Sequence, residues 1–220
     1  NNGSDSIEVS LLDGIQNILP YGVGSMLQNQ RSNLVDAYKR SELDEKSGLG
    51  IFALSAFIVD RAEPSEALKA KIAWSLGLEG VTYLVSSLQL DAFRNGNPLH
   101  QEVDVKAEKG AYFVNSKIIL QANSENNWHL IGNVNQGHSA IIELANKIKT
   151  HQDFAKELQE DIDYGTKQLV MLNAGADAIQ LSSDSLRDAR HFSNTLFNIM
   201  RGGIFDNNYQ IEKLDFKNNI

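Results

Sequence analysis

The sequence predicts an α+β fold in which an antiparallel β-sandwich is followed by a C-terminal helical segment. Over roughly the first 135 residues, short stretches alternate apolar and polar side chains, which is typical of strands. After that point, apolar residues recur every three or four positions, which is typical of amphipathic helices. Many short strands separated by turn residues favour a sandwich over a parallel sheet with crossover helices. We therefore predict a sandwich region over 1–135 and a helical linker or extension over 136–220.

The first predicted strand is Ser6–Leu12, and it follows a strong turn signal at Asn2-Gly3. A turn of this kind joins two strands, and the sequence contains only the outgoing one. We therefore expect this strand to lack a neighbour, and we expect the chain to be an N-terminally truncated region excised from a longer protein. The stretch 13–25 is rich in glycine and proline and is predicted to be a long loop with a short element in it.

A hairpin is predicted next, with arms at 33–43 and 49–60 joined by the turn "DEKSG". Gly48 suits the left-handed position of such a turn. The second arm is strongly apolar, so we expect it to be central in a sheet. The stretch 61–67, around Pro64, is predicted to be a loop, and 68–78 shows the clearest alternation of the chain and predicts a strand.

The rest of the sandwich region is predicted to hold several further strands. The segment 81–93 fits a strand or a helix equally well, and 94–100 is predicted to be a loop. The segment 104–134 predicts two or three short strands, the last two separated by the turn "NSENN".

Three helices are predicted in the second part, over His138–Thr150, 153–172 and 182–203. Each carries an apolar stripe at helical spacing. Gly165 weakens the second one, since glycine costs about 1 kcal/mol relative to alanine inside a helix. Serines and Asp184 suit the start of the third helix, and Gly202-Gly203 suits its end.

Composition excludes several classes of function. The formal net charge is −8 and there is no cysteine. An acidic chain is a poor match for nucleic acid or for an anionic membrane surface, so neither is an expected partner. Without cysteine there is no disulfide and no thiolate nucleophile or ligand. We expect no cofactor and no metal, and the cellular compartment stays open.

No complete catalytic set is present in the sequence. Acidic side chains cluster at Glu102, Asp104 and Glu108, and again between Glu157 and Asp163. A pair such as Glu102 and Asp104 would serve glycoside hydrolysis if the two carboxylates flanked a cleft. Solvated faces of an edge strand and of a helix explain both clusters more simply, so we assign no catalytic residue.

Two residues are candidates for ligand contact, Trp128 and His138. Trp128 begins a strand after a polar turn, where an exposed ring would stack on a sugar, whereas Trp74 is predicted to lie in the core. His138 would gain a partner if it converged in space with His129. "NVNQG", which starts at Asn133, resembles the beginning of a calcium loop but lacks the Asp and the distal Glu, so a strand-to-helix turn is preferred.

Three stretches resemble parts of a known family of sugar-processing enzymes. "NNGSDSIEVSLLDGIQNILP" is similar to a strand and loop of their N-terminal sandwich, "NSKIILQANSENNWHLIGNVNQGHSAIIEL" to its last strands, and "RHFSNTLFNIMRGGIF" to its helical exit. The family is that of the cellobiose-phosphorylase-like glycoside phosphorylases and hydrolases. In these proteins a β super-sandwich related to galactose mutarotase precedes a helical linker and an (α/α)6 barrel.

The resemblance implies a non-catalytic role for this region, because the catalytic acid of that family lies in the barrel. The implied partners are the barrel of the same parent chain, an oligosaccharide at the edge of its site, and a second copy in a homodimer. The helical tail is longer than a simple linker, which leaves the subfamily open. The alternatives are a free-standing carbohydrate-binding module with Trp128 as its platform, a domain with a purely structural or interaction role, and a self-contained hydrolase.

Overall fold

A computed structural model describes residues 1–58, 66–150, 154–203 and 212–218. The chain forms two compact units, Asn1–Gln152 and Asp153–Ile220. The predicted α+β fold is confirmed, since antiparallel sheets occupy the N-terminal part and helices follow. The predicted loop around Pro64 falls largely outside the described residues.

The first unit contains eight strands and four helices among its described residues. In chain order they are β1 (Ile7–Ile18), α1 (Ser25–Gln30), α2 (Ser32–Tyr38), β2 (Lys39–Asp44), β3 (Leu49–Leu54), β4 (Lys69–Leu76), β5 (Thr82–Ser86), α3 (Leu90–Arg94), β6 (Asp104–Lys106), β7 (Gly110–Leu120), β8 (His129–Gly137) and α4 (His138–Thr150). The described part of the second unit contains α5 (Phe154–Gly175), α6 (Ser185–Gly202) and α7 (Lys213–Asn218).

The strands form two antiparallel sheets that share one core. The three-stranded sheet has the order β1-β7-β5, and the five-stranded sheet has the order β6-β2-β3-β4-β8. Apolar side chains from both sheets pack together, and they exclude water from the space between the layers: Leu43, Phe52 and Ala73 from the larger sheet, and Val85, Tyr112 and Val114 from the smaller one. This shared core makes the first unit a β-sandwich.

Strand β1 differs from its prediction in both length and pairing. It continues through the predicted loop as far as Ile18 and pairs with β7, from Ile7 opposite Leu120 to Ile18 opposite Gly110. The register shifts between Ile15 and Ile18, where Asn17 has a φ of 56°. Asparagine tolerates this left-handed conformation, so the strand resumes after the bulge.

The expectation that β1 lacks a neighbour is therefore wrong. Its partner comes from about a hundred positions further along the same chain, and the Asn2-Gly3 turn leads into this pairing. The side-chain amide of Asn1 donates to the carbonyls of Leu120 and Gln121, at 3.1 and 2.9 Å. The backbone N–H of Asn123 donates to the carbonyl of Gly3. These bonds hold the first residues against the end of β7.

The predicted hairpin is confirmed at its turn and corrected in its first arm. Strands β2 and β3 pair antiparallel, and Gly48 closes the turn with a φ of 70°. Strand β3 is the middle strand of the five-stranded sheet, as expected. The first arm, however, begins as helix α2 and becomes a strand only at Lys39. The helix buries Val35 against Val23 and Leu54, a packing gain that short-range alternation does not reveal.

The segment 81–93, which fitted a strand or a helix, contains both. It is a strand over Thr82–Ser86 and a short helix from Leu90. Leu84 of the strand and Leu90 of the helix join an apolar cluster on the outer face of the three-stranded sheet. The helix therefore covers a face that would otherwise expose apolar side chains to water.

Helix α4 belongs to the first unit, whereas the sequence-based division at 135/136 grouped it with the later helices. It follows β8 directly, and Asn135, with a φ of 59°, lies at a bulge in that strand rather than in a turn. Ile141 and Ala145 of α4 are buried. Lys149 pairs with Asp44 at 2.9 Å, which fastens the end of the helix to β2.

The helices of the second unit largely match their predictions. Helix α5 runs through Gly165 without a break, so the cost of about 1 kcal/mol for this glycine does not interrupt the helix. Asp184 caps α6, since its carboxylate accepts a hydrogen bond from the N–H of Arg187 at 3.1 Å. Gly203, with a φ of 75°, follows the last residue of that helix as predicted.

Candidate functional site

Trp128 lies immediately before β8 and is held in place by a hydrogen bond. Its indole Nε1–H donates to Oδ2 of Asp13 on β1, at 2.8 Å. Trp128 is half-buried, and its backbone lies against Gly77. The indole N–H of Trp128 is therefore already hydrogen-bonded within the protein. Trp74, by contrast, is buried with 4% exposure, as predicted for a core residue.

His138 lies far from Trp128, so the two candidate ligand residues do not form one site. Trp128 precedes the first residue of β8 and His138 follows its last residue. At about 3.3 Å per residue, ten residues of extended chain place them roughly 30 Å apart. His129 and His138 are separated in the same way, so the alternative in which they converge is wrong. His138 itself is exposed at the start of α4.

Glu102 has a structural position, tying a loop to the end of β5. One carboxylate oxygen accepts from the backbone N–H groups of Val85 and Ser86, at 2.9 and 2.8 Å. The other accepts from the Ser86 hydroxyl and the Gln89 amide, at 3.0 and 2.9 Å. Ser86 is fully buried, so this carboxylate satisfies donors that water does not reach.

Asp104 is committed to a different set of partners on the edge strand β6. Arg40 donates to both of its carboxylate oxygens, at 3.0 and 3.2 Å, and Lys106 lies at 3.5 Å. The hydrogen bond from Arg40 holds the pKa of Asp104 below its ordinary value. Glu102 and Asp104 thus each serve a separate local contact, and neither lines the two cavities described below.

Replacing Glu102 by glutamine is expected to destabilise the sandwich by about 2 kcal/mol. The amide removes a charged acceptor and presents N–H groups toward the donors of Val85 and Ser86. Urea unfolding followed by tryptophan fluorescence measures this loss, because both tryptophans lie in the first unit. Glu108→Gln, at an exposed position, is the matched control. Equal stability of the two variants would contradict the structural role.

A cavity of about 420 Å³ lies where the end of β1 meets α1, α2 and the start of β2. Its wall combines two ammonium groups, three amides and two hydroxyls with two aliphatic side chains. The lining residues are Asn17, Ile18, Leu19, Ser25, Gln28, Asn29, Ser32, Lys39 and Lys109. These groups donate and accept hydrogen bonds and supply positive charge, which is the chemistry of binding a polar molecule. We call this feature the Lys39 cavity.

Lys39 is the most unusual residue of this cavity, because its side chain is only 3% exposed. A buried ammonium is tolerated only when it is paired and hydrogen-bonded. Its Nζ donates to Oδ1 of Asp36 and to Oε1 of Gln28, both at 2.7 Å. Gln28 in turn donates to the same Asp36 oxygen, at 3.3 Å. Sequence reasoning missed this residue, whose only signal was an acidic side chain three positions earlier.

The electrostatics of Asp36 reflect these contacts. Burial alone would raise the pKa of this carboxyl, but the hydrogen bonds from Lys39 and Gln28 outweigh it and lower the pKa. The positive charges of Lys39 and Lys109 act in the same direction. Asp44 shows the same balance. Burial alone would raise the pKa of its carboxyl, but the hydrogen bonds from Ser47 and Lys149 outweigh it and lower the pKa.

These two lowered pKa values predict an acid-sensitive sandwich. A carboxyl whose folded pKa lies below its unfolded value, about 4, stabilises the fold above that pH and loses the contribution as pH falls. Asp44→Asn is therefore expected to destabilise most above pH ~4, with a difference from the unmodified chain that shrinks in more acidic solution. Urea titrations across this range measure it. Asp91→Asn, at an 84% exposed carboxylate, serves as control, and a difference that grew with acidity would contradict the assignment.

A second cavity, of about 440 Å³, lies on the outer side of the three-stranded sheet. Strand residues Ser10, Asn115 and Lys117 form one wall, and α3 with its following loop forms the other. The amide of Asn115 donates to the carbonyl of Leu11 on the neighbouring strand, so it is already engaged. With one cation and few available polar groups among its described lining residues, this cavity offers less to a ligand than the Lys39 cavity.

Within the described ranges, no three His, Cys, Asp or Glu side chains gather as a metal site would require. The helices described there include none with the length and apolarity of a transmembrane span. Comparison with known proteins found no protein-family model that matches the chain, and no match among curated protein sequences.

Proposed function

We propose that this chain is a non-catalytic β-sandwich and helical linker region of a large carbohydrate-active enzyme of the glycoside hydrolase or phosphorylase type. Its role there is to support a catalytic (α/α)6 barrel in the same parent chain and to lend residues to the edge of a sugar site. The observation that carries the proposal is the order of the architecture, a two-sheet sandwich followed by amphipathic helices.

Exposed apolar side chains on the long helices support this role. Soluble proteins rarely leave many large apolar groups in water without a partner to cover them. On α5 and α6 such side chains are between 40% and 77% exposed: Ile162, Tyr164, Leu169, Val170, Met171, Leu172, Leu186, Phe197 and Met200. A packed helical domain would bury these groups, as the proposed barrel does.

The engagement of the acidic side chains also supports a non-catalytic role. A glycosidase needs two carboxylates that flank the bond to be cleaved. Here Glu102 is saturated by four donors and Asp104 is paired with Arg40. A supporting domain has no need of a free pair.

The gene around this sequence provides the decisive test. The proposal expects a reading frame that continues into helical hairpins of an (α/α)6 barrel containing a catalytic acid. A frame that ends soon after this segment would overturn it. As a second test, the purified chain is assayed on a panel of oligosaccharides with and without phosphate, and robust turnover would contradict the non-catalytic role.

The alternative of a free-standing carbohydrate-binding module receives less support. A sugar platform requires an open aromatic face, but Trp128 is half-buried and bonded to Asp13. Titration with sugars while tryptophan fluorescence is followed separates the two functions. Micromolar binding that disappears in Trp128→Ala would favour the module.

A further inference from the structure

We propose that the Lys39 cavity binds a small hydroxylated anion, a sugar acid or a sugar phosphate, whose oxyanion is held by Lys39 and Lys109. This site does not rest on the proposed function, because its described lining residues all belong to the sandwich unit. A sugar acid and a sugar phosphate share the same chemistry, because each carries a negatively charged group close to several hydroxyl groups.

The charge of the cavity wall contrasts with that of the chain. The protein carries a formal net charge of −8, yet among the described residues that line this cavity the charged side chains are two lysines. Asp36 lies beside them but is not among the lining residues. Since one carboxylate offsets one ammonium, the local balance stays positive. An anion is therefore the favoured occupant.

Lys39 retains a donor for a ligand. An ammonium carries three N–H donors, and the structure commits two of them, to Gln28 and Asp36. The same two bonds fix the position of Nζ in the wall, so little conformational freedom is lost when a ligand binds. A charge-assisted hydrogen bond to an oxyanion is roughly twice as strong as a neutral one.

The remaining wall suits hydroxyl groups. Side-chain amides both donate and accept hydrogen bonds, as hydroxyls do, and Asn17 and Asn29 bring such amides to the cavity, while Ser25 and Ser32 add hydroxyls. Ile18 and Leu19 supply an apolar surface for the carbon skeleton. A volume of about 420 Å³ falls within the range of roughly 300–1,000 Å³ that is typical of small-molecule sites.

The binding test is an NMR titration of the ¹⁵N-labelled chain at constant ionic strength. The probes are gluconate, glucose 6-phosphate, glucose and inorganic phosphate. Gluconate or glucose 6-phosphate is expected to shift the backbone amide signals of Asn17, Gln28 and Asn29, with glucose at least about tenfold weaker because it lacks the charge. Whichever of the two acids binds more tightly identifies the oxyanion as carboxylate or phosphate.

A charge variant shows whether the lysines are responsible. Lys109→Gln removes an exposed ammonium from the rim and is expected to weaken binding of the better acid by about tenfold. Lys46→Gln, in the turn at the opposite end of β2, is the matched control and is expected to bind as the unmodified chain does. Tryptophan fluorescence confirms that both variants are folded.

Three results would overturn the proposal. The first is the absence of shifts at the cavity residues with all four probes. The second is a failure of selectivity. Equal binding of glucose and gluconate would show that the charge of the ligand is irrelevant, and equal binding of inorganic phosphate and both acids would show that the hydroxyl groups of the ligand are irrelevant. The third is equal weakening by Lys109→Gln and Lys46→Gln, which would show only a response to net charge.

Discussion

Phe52→Ala is expected to lower the free energy of unfolding of the sandwich by about 4 kcal/mol, within the range measured for large-to-small changes in cores. Phe52 is 1% exposed and lies on the central strand of the larger sheet. Its ring packs against side chains of both sheets, so its loss opens a cavity between the layers. Neither layer can close that space alone, because each is held by strand pairing on its own side.

Equilibrium urea unfolding followed by tryptophan fluorescence measures this effect, since Trp74 and Trp128 both report on the first unit. Leu88→Ala, which truncates an apolar side chain that is 63% exposed, is the control. Its effect is expected to stay within about 0.5 kcal/mol. A loss below about 2 kcal/mol for Phe52→Ala would mean that the two sheets do not share one core.

Gly14→Ala is expected to cost about 3 kcal/mol, an unusually large effect for the addition of one methyl group. A Cβ at this position would lie 2.2 Å from the carbonyl oxygen of Tyr112 and 2.8 Å from the Cα of Phe113. Both atoms belong to the backbone of β7, which is paired on its two sides with β1 and β5. Relief of the overlap would therefore break strand pairing.

Gly24→Ala is the matched control for this substitution. Gly24 has a φ of −78°, which alanine adopts readily, and no atom lies within 4 Å of the added Cβ. Its effect on the urea midpoint is expected to be small. If the two alanine variants were equally stable, the close approach of β1 and β7 at Gly14 would be wrong.

The sequence allowed reliable prediction wherever the physical cause is local. Strand β4 forms where the alternation of its residues predicted a strand, Gly48 takes a positive φ in a tight turn, and Asp184 caps a helix. Each of these follows from a few neighbouring residues and their backbone preferences.

Features set by distant residues escaped prediction. Strand β1 owes its length to β7, and α2 is helical because Val35 packs on Leu54. The Lys39 cavity also depends on long-range placement, since its two lysines are brought together by β2 and by the start of β7. A lysine in a sequence is not expected to be buried, because nearly all lysines in proteins are exposed to solvent.

The pairing of β1 with β7 bears on how fast the sandwich assembles. Ile7 meets Leu120, so the intervening chain must be brought into one large loop before those bonds can form. The chain loses conformational entropy when this loop closes, before the contacts that stabilise the closed loop have formed. Proteins dominated by such distant pairings fold in milliseconds to seconds. During synthesis β1 leaves the ribosome before its partner β7, so its pairing waits until Leu120 emerges, and its apolar side chains stay open to aggregation until then.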